Sequence, residues 1–403
     1  MSPRRLLVIA SGWEQTPLIE TARRMGCWIL ATNASEAGAE GFVHADATAV
    51  IDSRDLPGML RLAQEHRIDA VVSDQCDYSL YAAAWLGEQL GLPAVRLDAA
   101  QGVTNKLEMR RRVAQDPSVL QPKFHGCMSW DQIEAAAADV GYPLIVKPVD
   151  NRGNFGVNRV DSPEELRSAW LEAVAHSHSR IVLIEEFIEG LLTTVEGVFL
   201  RRGEYRTLAA SWKKMLGGRK RVAMELIYDT EHIRKELPAL LAANEAATRA
   251  LGLDFGATHG EFMIDSRGRP YLIETHNRGG GVHIFSRICP ALSGFDTNAH
   301  LVRCALGAPP AAVEPGFMRH GSAVLSFFQF EPGRVRGWCG EEEVSRDPRV
   351  LQFRMLIKKG QDVQPIVGDA FRHASIIVHD ESHAACERTL DELRRRITVE
   401  YAS

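Results

Sequence analysis

The chain contains 403 residues, of which 45% are hydrophobic and 25% charged, and its formal net charge is −5. This length predicts two or three domains, and the composition is typical of a globular protein with large buried cores. A mildly acidic chain argues against a general nucleic-acid-binding protein, because that class needs a basic surface to neutralise phosphates. No apolar stretch approaches the ~18 residues of a membrane-spanning helix. Seven dispersed cysteines without a CxxC pair predict reduced thiols rather than a zinc site. We therefore expect a cytoplasmic protein with no nucleic-acid or membrane partner.

The first hundred residues alternate short apolar runs with amphipathic segments, a pattern that predicts a parallel sheet with helices on both faces. The expected strands cover residues 6–10, 27–32 and 69–73, and the expected helices cover residues 16–25, 55–66 and 78–90. The turn after the first strand reads Ser11-Gly12-Trp13-Glu14. It lacks the G-x-G-x-x-G sequence with which dinucleotide-binding turns approach a pyrophosphate, so binding of NAD at this turn is disfavoured.

The rest of the chain mixes helices and strands. Predicted helices cover residues 105–115, 129–140, 162–175 and 231–251. Predicted strands cover residues 143–148, 181–185, 193–200 and 205–212, followed by two strands that carry Glu261 and Glu274. After Pro309-Pro310, strands at 322–330, 352–358 and 375–378 and a helix at 382–395 predict a small α+β tail in which no chemistry is concentrated. We predict three domains, at residues 1–97, 98–308 and 309–403.

Charged and glycine-containing segments follow one another through the middle of the chain. The members are, in chain order, Lys106, Lys147, the glycine loop at 151–156, the acidic link at 185–188, Glu261, Glu274, Asn277 and Arg278. Taken singly, each has an ordinary explanation as a surface lysine, a plain turn or an exposed hairpin. Their joint occurrence in this order favours one functional site.

These residue types suit a metal-bound triphosphate. Two strand-borne carboxylates and a side-chain amide are hard oxygen ligands of the kind that Mg²⁺ prefers. Lysines neutralise phosphates, and the backbone N–H groups of a glycine loop cradle them. An arginine beside the metal stabilises the charge that develops on a transferring phosphoryl group or an acyl phosphate.

Four segments resemble the motifs of one superfamily. Tyr-Pro-Leu-Ile-Val-Lys-Pro at 142–148 resembles a strand whose lysine contacts the α- and β-phosphates, and Thr-Asn-Lys-Leu-Glu-Met at 104–109 resembles an earlier lysine-bearing helix. Glu-Glu-Phe-Ile at 185–188 resembles a hinge that binds adenine, and residues 274–278 resemble an E-x-x-x-R motif. On these residues the chain resembles the ATP-grasp superfamily, in its carboxylate–amine ligase branch with the L-amino acid ligases and the biotin-carboxylase-like enzymes.

The resemblance implies a fold of mixed α/β and α+β class, with a Rossmann-like N-terminal parallel-sheet domain, a central ATP-grasp domain and a small α+β C-terminal subdomain. It implies ATP and two Mg²⁺ ions, or Mn²⁺ in their place, as cofactors. The implied nucleotide-binding residues are Lys106, Lys147, Arg152, Gly153, Gly156, Glu185, Glu186, Phe187 and Ile188. The implied metal ligands are Glu261, Glu274 and Asn277, and the implied catalytic residues are Arg278, Lys147 and Glu274.

Three positions depart from the superfamily pattern. Gly190-Leu191-Leu192 replaces the G-x-E that binds the ribose hydroxyls, so the ribose must be bound by other groups. The glycine loop lacks the usual serines, and Arg152 is expected to supply charge in their place. His276 occupies the position that is Asn in the biotin-carboxylase-like branch, which leaves open whether Asn277 reaches the metal.

The candidate substrate-binding residues flank the metal acids and are His259, His276, His283, Gly280 and Gly281. The histidines either bind substrate or stabilise the fold, and the glycines either offer N–H groups to a carboxylate or permit tight packing. The basic segment at 213–221 is either a lid over the site or a solvated surface run. Asp74 and Asp77, at a strand end of the first domain, are candidates for contact with an amino substrate.

These inferences predict an ATP-dependent ligase that activates a carboxylate as an acyl phosphate and couples it to an amine, releasing ADP and phosphate. The amide product could be a dipeptide or part of a secondary metabolite. The expected partners are a small-molecule carboxylate and amine, and a homodimer is expected from the resemblance. Two alternatives remain open at this point: a small-molecule kinase that releases a phosphorylated product, and a non-catalytic nucleotide-binding regulator.

Overall fold

The computed structural model describes residues 3–151, 153, 155–217 and 222–402. Its strands form four sheets: a parallel sheet of four strands, an antiparallel sheet of four strands, a sheet of eight strands and a sheet of three strands. No helix in the described ranges is long and apolar enough to cross a membrane. No disulfide joins the seven cysteines, all of which lie in those ranges.

The N-terminal unit is built on the parallel sheet, in the strand order β3-β2-β1-β4. Its strands are β1 (Arg5–Ile9), β2 (Trp28–Asn33), β3 (Ala47–Val50) and β4 (Ala70–Val72), and its helices are α1 (Thr16–Arg24), α2 (Leu56–Glu65), α3 (Asp77–Leu90) and α4 (Leu97–Thr104). Along β1, Leu6 and Val8 join one hydrophobic cluster and Leu7 and Ile9 another. Both faces of the sheet are therefore covered, which confirms the predicted architecture and explains why the strand is apolar throughout.

A four-stranded antiparallel sheet in the order β5-β8-β6-β7 follows. Its strands are β5 (Phe124–Cys127), β6 (Leu144–Pro148), β7 (Asn158–Val160) and β8 (Val182–Glu186), and the accompanying helices are α5 (Lys106–Val113), α6 (Trp130–Val140) and α7 (Pro163–Ala175). Residues of α6 and α7, such as Ile133 and Leu166, share a buried cluster with Leu144 and Val146 of β6. This packing leaves Lys147, on the opposite face of the sheet, available to a functional site.

The eight-stranded sheet runs in the order β13-β12-β9-β10-β11-β14-β18-β16. These strands are β9 (Leu191–Arg201), β10 (Glu204–Met215), β11 (Ala223–Tyr228), β12 (Ala257–Ile264), β13 (Pro270–His276), β14 (Ser322–Phe328), β16 (Val350–Met355) and β18 (Ala374–Asp380). Helices α8 (Leu237–Ala250), α9 (Cys289–Ser293), α10 (Thr297–Ala305) and α12 (His383–Arg394) belong to the same half of the chain. The sheet joins strands from both sides of residue 309, and the division into three domains at 97 and 308 stays a prediction.

The remaining C-terminal elements are a small sheet of β15 (Gly333–Cys339), β17 (Asp362–Val363) and β19 (Thr398–Tyr401), and helix α11 (Glu341–Ser345). Several predicted boundaries differ from the structure, and two of the differences concern elements near the middle of the chain. The helix expected at 231–251 begins only at Leu237, where Pro238 occupies a first-turn position that has no need of its missing N–H. The strand expected at 205–212 continues to Met215, and its partner β11 was not predicted.

Candidate functional site

One cavity of about 450 Å³ lies between the four-stranded antiparallel sheet and the eight-stranded sheet. The predicted site residues that line it are Lys106, Lys147, Gly153, Glu185, Glu186, Phe187, Ile188, His259, Glu261, Glu274, His276, Arg278 and Gly281. Four predicted site residues do not line it, namely Gly156, Asn277, Gly280 and His283. Arg152 and positions 218–221 of the predicted lid lie outside the described residues. Tertiary structure therefore brings most of the predicted series to one place.

A buried ionic cluster forms the floor of the cavity beneath the hinge at 185–188. The Lys147 ammonium lies 2.6 Å from one carboxylate oxygen of Glu185, and the Arg110 Nε donates to the other at 2.6 Å. Arg110 also donates from Nη2 to the Ile273 carbonyl, at 2.7 Å. This arginine of α5 therefore connects Glu185 of β8 to β13. Burial alone would raise the pKa of Glu185, but Arg110 and Lys147 lower it to about 2. The carboxylate is therefore ionised and holds Lys147 in place.

Glu261 and Glu274 lie directly opposite one another on the antiparallel strands β12 and β13. Each carboxylate already contacts an ammonium group. Lys213 of β10 donates to Glu261 at 2.9 Å, and Lys106, the first residue of α5, lies 2.8 Å from Glu274. Burial opposes ionisation, but Lys213 and His259 keep the pKa of Glu261 well below its usual range. Lys106 and His276 likewise lower the pKa of Glu274. The two acids thus form an anionic pair between two cations.

This pair has the chemistry of a Mg²⁺ site that is completed by a ligand. Carboxylate oxygens are the hard donors that Mg²⁺ takes, one or two from protein and the rest from phosphates and water. Within the described ranges, no three His, Cys, Asp or Glu side chains converge on a self-sufficient metal site. Glu261 and Glu274 therefore fit ions held between protein and phosphates better than a closed structural site.

Asn277 is not brought to the two acids, which corrects the prediction that it joins them. Along β13 and its extension, Glu274, His276 and Arg278 alternate onto the cavity face, and Asn277 consequently faces the other side. Its Nδ2 donates to the carbonyls of Phe255 and Ala257, both at 2.7 Å. The position facing the cavity belongs to His276, whose Nε2 lies 3.5 Å from Glu274.

Arg278 is held by the N-terminal unit. Its Nε and Nη2 donate to the two carboxylate oxygens of Asp77, at 2.7 and 3.2 Å, in a bidentate pair. The His276 Nδ1 also lies 2.9 Å from Asp77. Burial would raise the pKa of Asp77, but Arg278 and His276 hold it well below the usual range. Asp77, the first residue of α3, is thus a site residue whose role as an anchor of Arg278 the sequence did not reveal.

Asp74 is not among the residues that line the cavity. It is completely buried, and the N–H of Gly279 donates to it at 2.9 Å. Burial raises the pKa of this carboxyl above its usual value. Asp74 therefore fixes the turn at 279–281 and does not reach an amino substrate in the cavity.

His259 belongs to a buried chain of polar groups behind Glu261. Its Nδ1 lies 2.7 Å from Glu196, a fully buried carboxylate that also accepts from the Tyr228 hydroxyl at 3.2 Å, and its Nε2 lies 3.3 Å from Glu261. Burial lowers the pKa of the imidazole, but the two carboxylates raise it to about 9. His259 is therefore a cation that orients Glu261, and Glu196 is a second residue that the sequence did not indicate.

Close packing accounts for the first glycines of the turn at 279–281. A Cβ on Gly279 would lie 2.2 Å from Cβ of Phe285, and one on Gly280 would lie 2.9 Å from Ile284. The turn then continues through Val282 and His283 with φ of 53° and 59°. This left-handed backbone is costly for a β-branched residue and needs support from its surroundings. Burial lowers the pKa of His283 to about 3, which keeps the imidazole neutral.

The support comes from two places, the turn after β1 that lacks a dinucleotide fingerprint and Gln75 in the segment after β4. The Glu14 carboxylate accepts from the Val282 N–H, and the Gln75 side chain accepts from the His283 N–H at 3.1 Å. The Trp13 ring packs edge-on against the His283 imidazole, with 4.7 Å between ring centroids. The first βα turn of the N-terminal unit therefore shapes the wall of the cavity.

The C-terminal segment, in which the sequence indicated no concentration of chemistry, also contributes to the cavity. Leu325 and Phe327 of β14 line it together with Asp369 and Arg372. The Arg372 guanidinium lies 3.8 Å from the centroid of the Phe327 ring and donates from Nη2 to the Ala223 carbonyl at 2.7 Å. No sequence motif marked Arg372, because the groups around it come from β11, β14 and the short turn at 369–371.

Known proteins share both the domains and the complete fold. The ATP-grasp domain family matches residues 140–285, and the L-amino acid ligase C-terminal domain 2 family matches residues 326–402. The formate-dependent phosphoribosylglycinamide formyltransferase of Prochlorococcus marinus (strain MIT 9303) is 31% identical over 189 residues, 46% of this chain and 48% of that protein. Its Synechococcus sp. (strain CC9605) counterpart is 26% identical over 318 residues, 77% of this chain and 78% of that protein.

The chain thus spans about half the length of the first of these curated relatives. The crystal structure of the L-amino acid ligase from Bacillus licheniformis superposes with a TM-score of 0.83 and 22% identity, over 100% of both chains. These matches show that the chain contains an ATP-grasp domain at residues 140–285, as its motifs predicted. They also show that residues 326–402 match the L-amino acid ligase C-terminal domain 2 family.

Proposed function

We propose that this protein is an ATP-dependent ligase that activates a carboxylate as an acyl phosphate and joins it to an amine. The observation that carries the proposal is the paired arrangement of Glu261 and Glu274 on neighbouring strands, flanked by Lys106, Lys147 and Arg278 in one cavity. Two hard-ligand acids surrounded by three cations match the charge of a metal-bound triphosphate and of its transferring phosphoryl group. The relatives named as ligases and transferases with the same fold support this assignment.

The nucleotide is assigned to the half of the cavity next to the hinge at 185–188. Apolar side chains from both sheets line this half, among them Ile145, Leu192, Met263 and Ile273, and they suit an aromatic base. Lys147, fixed by Glu185, and Lys106, which also donates to the Asn151 carbonyl at 2.8 Å, would then face the phosphates. Gly153 of the glycine loop has a φ of 67° and lines the same region.

Glu261 and Glu274 would hold the divalent cations, Mg²⁺ or Mn²⁺, which we assign as two. When bound, such ions neutralise phosphate oxygens and stabilise charge that develops during phosphoryl transfer. Lys106 and Lys213, which contact these acids in the structure, would then be released toward the anionic ligands. His259 and Glu196 keep Glu261 oriented during this exchange.

Arg278 would stabilise the negative charge of the activated carboxylate. A carboxylate repels an amine nucleophile, and converting one of its oxygens into a phosphate leaving group removes this obstacle. Asp77 fixes the guanidinium in a bidentate pair, so the guanidinium need not move when charge develops beside it. The walls supplied by the 279–283 turn would exclude water, which would otherwise hydrolyse the acyl phosphate.

The substrates are accordingly a small-molecule carboxylate and a small-molecule amine, and a dipeptide or a secondary metabolite amide is the expected product. A homodimer and a cytoplasmic location complete the proposal. Light scattering after size-exclusion chromatography tests the dimer directly.

The decisive experiment is a screen of amino acid and carboxylate pairs for phosphate release, with nucleotide products separated and product masses measured. The expected result is ADP, phosphate and an amide from the same reaction. Release of AMP and pyrophosphate would contradict the proposal. A phosphorylated product without amide would instead identify a small-molecule kinase, and ATP binding without turnover would identify a regulator.

A further inference from the structure

The half of the cavity away from the hinge is formed jointly by the ATP-grasp strands and the C-terminal segment. In the eight-stranded sheet Lys213 lies opposite Leu226, and Leu226 lies opposite Leu325. These three residues form a cross-strand row on the cavity face, and Phe327, two residues after Leu325, lies on the same face. Lys213 also donates to Glu261, so one end of the row lies beside the paired acids. The other end is an apolar wall formed by Leu226, Leu325 and Phe327.

Arg372 stands at this apolar wall. Its side chain is only 10% exposed, and its guanidinium packs on the Phe327 ring. Nη2 contacts Asp369 and the Ala223 carbonyl, each at 2.7 Å. Among the described residues, Nε is buried without a hydrogen-bond partner. A buried guanidinium with an unused donor beside a cavity is a costly arrangement unless a ligand completes it.

The cavity therefore contains two separately anchored guanidinium groups. Arg278 is held by Asp77 from the N-terminal unit, and it lines the cavity together with Glu274, Lys106 and Lys147. Arg372 is held by Asp369 and by β11, against the apolar wall. An arginine on the phosphate side suits the carboxylate that is activated. An arginine on the apolar side suits a carboxylate that is bound but left unreacted.

We infer that Arg372 is a specificity-determining residue that binds the carboxylate of the amine-donating substrate. That substrate is then an amino acid rather than a simple amine, and the apolar wall selects an uncharged side chain. The guanidinium fork matches a carboxylate geometrically, and the aromatic face of Phe327 holds the fork flat. This inference rests on the proposed function for the role of the bound molecule, but the binding of a carboxylate by Arg372 can be measured without turnover.

The test compares L-leucine with L-leucinamide, which has the same side chain and amine but no carboxylate. Binding is measured by calorimetry on the full-length wild-type protein and on Arg372→Gln. We expect wild type to bind leucine about tenfold or more tightly than leucinamide, because a charge-assisted pair contributes that much. We expect Arg372→Gln to lose this difference while its leucinamide affinity stays within about twofold of wild type.

Matched variants separate this role from a structural one. Arg334→Gln, at a 64% exposed arginine of the same C-terminal segment, should leave both affinities unchanged. Arg372→Lys keeps the charge but not the planar fork and should lose part of the preference. If Arg372→Gln proves unstable, the comparison of the two ligands on wild type and Arg372→Lys still decides. Equal affinity for the two ligands, or equal losses for both in the variants, would overturn the inference.

Turnover distinguishes failure of this inference from failure of the proposed function. With an active pair, Arg372→Gln should raise the KM of the amine-donating amino acid about tenfold or more, with the KM values of ATP and the activated carboxylate unchanged. A rise confined to the activated carboxylate would overturn the inference, and glutamate accepted as readily as leucine would overturn the side-chain preference. If no pair yields ADP while leucine binding still depends on Arg372, the proposed function fails and the carboxylate site stands.

Discussion

Replacing Arg110 by Met is expected to lower thermal stability markedly, because it leaves Glu185 with a single cationic partner in a buried position. Arg110 is 1% exposed, and its guanidinium bridges Glu185 and the Ile273 carbonyl. Removing one partner of a buried ion pair costs about 3–5 kcal/mol, and we expect the lower end because Lys147 still contacts Glu185. Since 1 kcal/mol shifts the melting temperature of a unit this size by about 2–4 °C, the expected decrease is about 6–12 °C.

The measurement is differential scanning fluorimetry or calorimetry at pH 7, with Arg111→Met as the matched control. Arg111 lies next to Arg110 on α5 but is exposed, so the same substitution there should change the melting temperature by less than about 2 °C. Because Arg110 also fixes the carboxylate beside Lys147, nucleotide affinity should fall in Arg110→Met only. Similar melting temperatures for the two variants would refute the view that this cluster is a stabilising element.

Three further results are expected. Glu261→Gln and Glu274→Gln should each lower ADP formation by about a hundredfold or more and raise the Mg²⁺ concentration needed for half-maximal rate, and an unchanged Mg²⁺ titration would exclude them as metal ligands. Glu185 has a pKa of about 2 in the folded protein against an ordinary 4.5, so its contribution to stability is complete above pH 4.5 and is lost as pH falls toward 2. The melting temperatures of wild type and Glu185→Gln should therefore converge between pH 4.5 and pH 2. A constant difference between the two melting temperatures would contradict this assignment. Asp77→Asn should reduce kcat more than the KM of ATP, because Arg278 loses its bidentate anchor, and a change confined to the KM of ATP would contradict that role.

The site residues that could be predicted are those whose neighbours in the sequence show which strand or helix they belong to. Lys147 ends an apolar strand, and Glu274 closes another, so each could be placed on an element from its immediate neighbours. Arg110 was missed because it is the first of three consecutive arginines, and only the packing of α5 distinguishes it from the exposed Arg111 and the half-buried Arg112. The role of Lys213 was left open between a lid and a solvated surface run for a similar reason, since Lys213 and Lys214 are adjacent and the pleat of β10 sends them to opposite faces.

Asn277 illustrates the opposite error. Its residue type suited a metal ligand and it stood one position from the superfamily's asparagine, but strand alternation gives the cavity face to His276. Arg372 illustrates a role that sequence reasoning could not have found. The groups that it contacts are a backbone carbonyl of β11 and side chains of β14 and a short turn, and nothing in the local sequence indicates that they meet.

The sequence by itself determined the class of fold and the chemical inventory, because both depend on local patterns: apolar periodicity, capping, and charged residues at the ends of strands. Tertiary structure alone decided which charges neutralise one another. Lys106 with Glu274, Lys213 with Glu261, and Arg278 with Asp77 are separated by 168, 48 and 201 positions in the chain. Such partners are set by strand register and by the packing of one sheet against another, and no local pattern encodes these long-range choices.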